Sequence, residues 1–351
     1  MATGDKVADD ENELTRRLLA GVSRTFALTI PELPPELYRP VANGYLLCRI
    51  ADTIEDEPSL APDERRAHHA AFAEAVAGTG EAAAFADALA PRLTSATLPA
   101  EHELVRAAAR VIGITRSLEP GPRTALARCV HVMCSGMDRF QPRGGARGLP
   151  DLRALDEYCY VVAGVVGEML TELFCASSPA TVEQRAGLMQ RAVSFGQGLQ
   201  MTNILKDIWE DLARGFCWLP RDVFARHGFD LDDLRQRQDA PAFRDGLGEL
   251  LGLAHGHLRR ALEYVLLVPH SERGVRRFCL RALGMAVLTL RRIDARRGFT
   301  SAAEVKISHA AVRTVVAAGE LVGHHDGLLE LLFGAAAAGL PEPILAHAAR
   351  P

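Results

Sequence analysis

The sequence predicts an all-α protein folded as a single helical bundle, and three observations carry that expectation. Apolar residues recur at helical spacing along most of the 351 residues, as in helices that bury one face. No run alternates apolar and polar residues as a half-buried strand would. Ala, Leu, Arg and Glu are abundant and β-branched runs are scarce, which favours helix along the chain. With 48% apolar and 24% charged residues, the composition is that of a globular protein with ample material for a core. The net charge of −4 offers no general attraction to nucleic acid. Any bound anion must therefore be held by local basic groups or by metal.

Residues 1–13 are polar and acidic and lack the basic and apolar regions of a signal peptide. They are expected as a disordered tail, followed by one domain over 14–335 and a helical or irregular tail over 336–351. A short helix near 14–20 leads into Ser23-Arg24-Thr25-Phe26. Pro34-Pro35 opens a helix to about residue 55, and Pro58 and Pro62 oppose its continuation. Helices follow near 63–77, 101–118 and 121–140. The Gly-rich, basic segment 141–150 must be a loop, either an ordinary connector or a flap. Asp151 can cap the helix to about Cys175. Thr181-x-x-Gln184 has the form of a capping box opening a helix that continues through Asp211. Further helices are expected over 242–267, 271–297 and 301–334.

No stretch reaches the roughly 18 uncharged apolar residues of a membrane span. The nearest, 327–348, is interrupted by Glu330, Pro341, Glu342 and Pro343. The expectation is a cytoplasmic protein without a transmembrane segment, with peripheral membrane contact left open. The seven cysteines, without any C-x-x-C, read as reduced core residues. His68-His69, His255-x-His257 and His324-His325 lack metal-like partners and read as surface histidines.

Two acidic pairs carry the chemistry. Asp52 and Asp56 stand four apart on one predicted helix, and Asp207 and Asp211 on another, so each pair projects from one face. Glu55 and Glu210 add negative charge within the two spacings. The preceding segments, 44–51 and 195–205, are mostly uncharged. Like charges at the ends of such helices need a cation. Carboxylates are hard ligands suited to Mg²⁺, which takes its remaining ligands from water and phosphate. Arg49 and Lys206 lie beside the pairs, with Arg24 and Arg214 near the helix ends. Such groups suit diphosphate oxygens.

Around these pairs the residues resemble the squalene and phytoene synthase family. Ser23-Arg24-Thr25-Phe26 is similar to the family's S-R-[ST]-F. The segment from Tyr45 through Arg49 and Asp52 to Asp56 resembles Y-x-x-x-R-x-x-D-x-x-x-D. Tyr158-Cys-Tyr-Val-Val-Ala-Gly164-Val-Val-Gly167 resembles Y-C-x-x-V-A-G-x-V-G. The segment from Gly198 through Gln200, Asn203 and Lys206 to Asp211 resembles G-x-Q-x-T-N-I-x-[RK]-D-x-x-x-D. The match spans roughly 20–310 with its motifs in family order.

The resemblance implies an isoprenoid-synthase helical bundle around a central apolar cavity. It implies a Mg²⁺-dependent prenyltransferase that joins two prenyl diphosphates through a cyclopropyl diphosphate. Asp52, Glu55, Asp56, Asn203, Asp207 and Asp211 would hold Mg²⁺, with the four aspartates, Tyr45 and Tyr160 as catalytic residues. Ser23, Arg24, Arg49, Gln200, Asn203, Lys206 and Arg214 would bind diphosphate, and Phe26, Val161, Gly164 and Phe278 would line the cavity. The segment Val161–Gly167 is equally compatible with close helix packing alone. Phe278-Cys279, 285–290 and 305–308 resemble the squalene branch. That branch implies two farnesyl diphosphates, presqualene diphosphate, and NADPH reduction to squalene. No Gly-x-Gly-x-x-Gly opens a helix after a strand, so no Rossmann site is available for NADPH.

Two positions depart from the family pattern. Val161 stands where squalene synthases usually carry a tyrosine, with Tyr160 one residue earlier. One residue is about 100° of helix rotation. Phe216 stands where R-G-R-x-Y-[LIF]-P has its second arginine. Phytoene, dehydrosqualene or presqualene diphosphate therefore remain alternative products. A non-catalytic helical scaffold on this fold would be expected to have eroded aspartate pairs, and both are intact.

Overall fold

The computed structural model describes residues 2–23, 26–140 and 147–344. The expectations on Arg24, on Thr25, on 141–146 and on the last seven residues lie outside these. The described residues form helices and no strands, with one isolated parallel bridge between Leu149 and Pro220. The chain, expected as one domain, divides into two compact units. Met1–Arg139 with Met169–Val182 make the first; Phe140–Glu168 with Glu183–Pro351 make the second.

In the first unit, α1 (Ala2–Val22) and α2 (Phe26–Thr29) precede α3 (Pro35–Asp56). Then come α4 (Pro62–Ala77), α5 (Ala82–Leu89), α6 (Pro99–Arg106), α7 (Ala108–Ser117) and α8 (Pro120–Phe140). The segment expected as a tail is instead the start of α1. Leu14, Leu18 and Leu19 are buried, and Glu11 and Asp10 pair with Arg39 and Arg110 at 2.5 Å each. Helix α3 buries Leu46, Leu47, Ile50 and Ile54 completely. Its end is fixed by Glu57, which accepts from Ser59 N (3.0 Å), Thr94 N (2.9 Å) and Thr97 Oγ1 (2.7 Å). The helix expected over 101–118 is split at Ala107 into α6 and α7.

The second unit begins with α9 (Leu152–Cys159), a π-helical turn (Tyr160–Gly164) and the first residues of α10 (Val165–Ser177), whose part from Met169 onward belongs, with the residues up to Val182, to the first unit. Asp151 caps α9 as expected, accepting from Ala154 N at 2.8 Å. Next come α11 (Pro179–Glu183), α12 (Arg185–Lys206), α13 (Ile208–Ala213), α14 (Arg221–Arg226) and α15 (Pro241–Leu267). The chain continues with α16 (Arg273–Ala295), α17 (Ala302–Val305), α18 (His309–Val322) and α19 (Asp326–Ala337). Thr181 lies inside α11, so the expected capping box does not form, and Gln184 flanks α12 without a side-chain cap.

Small residues set the approach of α12 to the π turn and α10. A Cβ on Gly196 would stand 2.0 Å from the Ala163 carbonyl oxygen, and one on Gly167 2.1 Å from that of Ala192. Helices α12 and α15 pack side by side, with Gly198 against His257 and Leu258, Phe195 edge-on to Tyr264 at 5.5 Å, and Arg191 paired to Glu263 at 2.8 Å. In α16, the buried Arg276 guanidinium reaches Gly323 O, Val268 O and Asp326.

The six cysteines beyond the half-buried Cys48 are buried, and all seven are free. Three expected surface histidines are internal. His69 bonds Asp138 at 2.9 Å and the Ala51 carbonyl at 3.2 Å, and His255 and His257 are buried on α15. One helical stretch, Leu152–Ser177, is long and apolar enough to cross a membrane by length and composition, although Glu168 and Glu172 interrupt its apolar run. Of its most apolar window, 61% is buried.

Candidate active site

The first acidic pair sits at the C-terminal end of α3. Asp52 keeps 35% of its side chain open, with the side chains of Arg49, His69, Asp56 and Glu101 close enough to act on its carboxyl. Asp56 is exposed and Glu55 is buried. Arg49 Nη1 lies 3.7 Å from Asp52, and its Nη2 is bonded to Glu101. Burial pushes the Asp52 carboxyl up to about 7. Arg49 and His69 oppose that rise, while the charges of Asp56 and Glu101 add to it. Glu101 was not singled out in the sequence, because its partner Arg49 lies 52 residues away.

The other named residues of this unit gather near Asp52. Tyr45 stands two turns before Asp52 on α3 and is hydrogen-bonded to Ser23. Burial raises its phenol. Ser23 Oγ also accepts from Phe26 N at 2.9 Å, and the Phe26 and Tyr45 rings lie 4.9 Å apart. Ser23, Phe26, Tyr45, Arg49 and Asp52 thus form one connected patch.

The second pair differs from its expected form because the helix breaks at Asp207. Asp207 ends α12 and precedes α13, with φ −99° and ψ 14°. Lys206 Nζ lies 3.1 Å from Asp207, whose carboxyl is raised by burial against the pull of Lys206. Asp211 is nearly buried and held by Arg214 at 2.5 Å. Glu210 points elsewhere, accepting from Ala302 N at 2.9 Å at the start of α17. Gln200 is half-buried and Asn203 exposed on the last turns of α12.

Three of the residues expected to line a cavity lie in this unit. Val161 and Phe278 are buried, and Gly164 lies beneath the Tyr160 ring and Val193, with a Cβ there 3.0 and 3.1 Å from them. The Tyr160 hydroxyl donates to Glu168 Oε2 at 3.2 Å, and both residues are buried. Sequence reasoning missed this bond because it spans the π turn, where spacing departs from 3.6 residues per turn. Among the described residues, no three His, Cys, Asp or Glu side chains converge as a metal cage. Each unit offers one acidic pair with an adjacent cation.

The squalene/phytoene synthase profile matches residues 19–311, and the chain belongs to this family. Squalene synthase of Eremothecium gossypii is 29% identical over 293 residues, covering 81% of this chain and 63% of that protein. Squalene synthase of Dictyostelium discoideum is 30% identical over 274 residues, covering 78% and 62%. The chain thus spans about three-fifths of the length of these curated relatives. The solved complex of TcSQS with the ligand BPH1237 superposes with a TM-score of 0.77 at 22% identity, covering 94% of this chain and 92% of that one. A dehydrosqualene synthase structure gives 0.65 at 19% identity, covering 90% and 97%. These likenesses show the all-α fold of the family.

Proposed function

We propose that the chain is a squalene-forming prenyltransferase, joining two farnesyl diphosphates through presqualene diphosphate and reducing the product with NADPH. The observation that carries the reading is that both family aspartate pairs are present, each with a cationic side chain in place: Arg49 at Asp52 and Lys206 with Arg214 at Asp207 and Asp211. The names of the curated relatives support the squalene branch.

The donor set fits Mg²⁺. Burial and the charges of Asp56 and Glu101 push Asp52 toward its neutral form, and a divalent cation would hold it ionised. Magnesium commonly takes one or two carboxylates and completes its shell with water and substrate phosphate, so the absence of a three-residue cage is no obstacle. In the first unit Asp52 and Asp56 would hold Mg²⁺, and in the second Asn203, Asp207 and Asp211 would do so. When bound, the ion supplies charge to a departing diphosphate. Arg49, Lys206 and Arg214 orient diphosphate oxygens, and Ser23 fixes the Tyr45 hydroxyl beside Asp52. Val161, Gly164 and Phe278 keep the second unit's interior closed to water, which would otherwise quench an allylic cation. Among the described residues no strand–turn–helix glycine loop provides a seat for NADPH. It enters only as the reductant that squalene formation requires.

A second reading, arrest at presqualene diphosphate, is favoured by one observation. Tyr160 is bonded to Glu168 and Val161 is buried apolar, so no tyrosine occupies the family position. Exposed Leu321, Leu328, Leu331 and Leu332 on α18 and α19 support peripheral membrane contact by the same protein. The deciding experiment incubates the protein with farnesyl diphosphate and Mg²⁺, with and without NADPH, and identifies the products. Squalene formed only with NADPH is expected. Presqualene diphosphate accumulating despite NADPH would select the second reading, and intact substrate would refute both.

A further inference from the structure

The loop after α13 carries an aromatic ladder in which Phe216 extends the aromatic positions that the family motifs place at Tyr158 and Trp218. Phe216 N–H donates to the Asp211 backbone carbonyl at 2.9 Å, which ties the start of the loop to the backbone of the second aspartate pair's last residue. The Phe216 and Trp218 rings are 3° from parallel with centroids 5.9 Å apart. The Trp218 and Tyr158 rings are 6° from parallel at 4.0 Å. Phe140 closes the far end edge-on, 5.7 Å from Tyr158 at 65°. Tyr158 is buried, whereas Phe216 and Trp218 are half-exposed. The ladder is therefore anchored at one end and open at the end nearest Asp211.

Phe216 occupies the place of an arginine in the family pattern, so this chain presents ring faces where a cation would stand. An aromatic face attracts positive charge through its quadrupole. Unlike an arginine, it does not repel a carbocation, and it brings no water to quench one. We propose that the half-exposed faces of Phe216 and Trp218 form a cation-contacting wall beside Asp207 and Asp211. They take the allylic cation left when the prenyl C1–O bond breaks and its electron pair departs with diphosphate. Tyr158 is a positioning residue, holding the Trp218 plane from behind. The inference rests on the diphosphate-ionising reading above.

The test uses the full chain with Trp218 replaced, at that codon alone, by tryptophans carrying one to four ring fluorines. Fluorination drains the π face while nearly preserving shape. Single-turnover diphosphate release from farnesyl diphosphate with Mg²⁺ is expected to slow stepwise, by roughly tenfold across the series. Phe216→Leu should lower kcat by about tenfold with KM changed less than about twofold, and Phe216→Tyr should restore it. Circular dichroism and melting temperature check that each variant is folded. A flat fluorination series, with unmodified protein active, would overturn the wall and leave the ladder as loop packing. If unmodified protein releases no diphosphate, the functional reading and this inference fall together.

Discussion

The Arg49 guanidinium stands 3.7 Å from the Asp52 carboxylate, beyond hydrogen-bonding reach, because its other terminal nitrogen is committed to Glu101. Glu101 thereby keeps the cation beside Asp52 without letting it occupy the carboxylate. In Glu101→Gln the hold weakens and Arg49 can close on Asp52, which Mg²⁺ must then displace. A half-exposed ion pair is worth about 0.5–1 kcal/mol. The Mg²⁺ concentration for half-maximal diphosphate release should therefore rise roughly two- to fivefold, measured by titration at saturating substrate. An unchanged requirement would show that Glu101 only caps α6.

Asp52 itself should trade stability for activity. Its folded carboxyl is raised from 3.8 to about 7, so between those values the folded state binds the proton more readily than the unfolded chain. The sign follows: this group's contribution favours folding at low pH and is lost as pH rises through that window. At pH 8 without metal the ionised, desolvated carboxylate is a burden. With 35% of the side chain open to solvent screening, the burden is about 1 kcal/mol rather than the full shift. Asp52→Asn should melt higher than the parent at pH 8 in chelator, match it more closely near pH 4, and lose diphosphate release by at least about 100-fold. A variant that melts lower at pH 8 would contradict the charge argument.

Glycine contacts give a sharper structural test. A methyl on Gly196 would meet the Ala163 carbonyl oxygen at 2.0 Å, and backbone on both sides leaves nothing flexible to yield. Gly196→Ala should cost about 3 kcal/mol or more by overpacking, seen as a lower denaturation midpoint. Gly113→Ala on α7 is the control. Nothing lies within 4 Å of its Cβ, so it should be neutral or gain up to about 1 kcal/mol from helix propensity. Equal effects at the two sites would remove the close-approach account of the small-residue segment.

The parts of this fold that were legible in the sequence are those set by local chemistry. Pro35 opens α3, Asp151 caps α9, and the spacing of apolar residues places most helices. The acidic pairs were legible because their residue types recur in a pattern that helical geometry explains. What escaped depends on partners distant in sequence. His69 looks like a surface residue until Asp138 and the Ala51 carbonyl are brought to it. Arg49 meets Glu101 only through the packing of α6. The break at Asp207 and the π turn at Tyr160 leave no local mark, since neither carries proline, and their settings otherwise read as continuous helix. The Phe216–Trp218–Tyr158 stack joins a loop to a helix more than fifty residues earlier. From sequence, Phe216 could be read only as a missing arginine.

A residue outside the acidic pairs makes the fold sensitive to pH. His257, buried on α15 against Gly198, has its imidazole lowered to about 4, chiefly by desolvation and then by the charge of Arg260. Its Nδ1 has no hydrogen-bond partner, so nothing inside the protein compensates a proton gained there. In the unfolded chain the same ring titrates near 6.5. Below that value the unfolded state binds a proton that the folded state refuses, so stability falls as pH drops from 6.5 toward 4. The slope approaches about 1.4 kcal/mol per pH unit for one group. Urea midpoints at pH 7, 6 and 5 should therefore decline more steeply in the parent than in His257→Leu, which keeps the side chain's bulk but cannot titrate. The other acidic and histidine groups contribute to both proteins alike, so the difference between the two slopes isolates His257. Parallel slopes would mean that the ring opens to solvent or finds a partner on protonation, and that α12 and α15 separate more easily along this seam than their packing indicates.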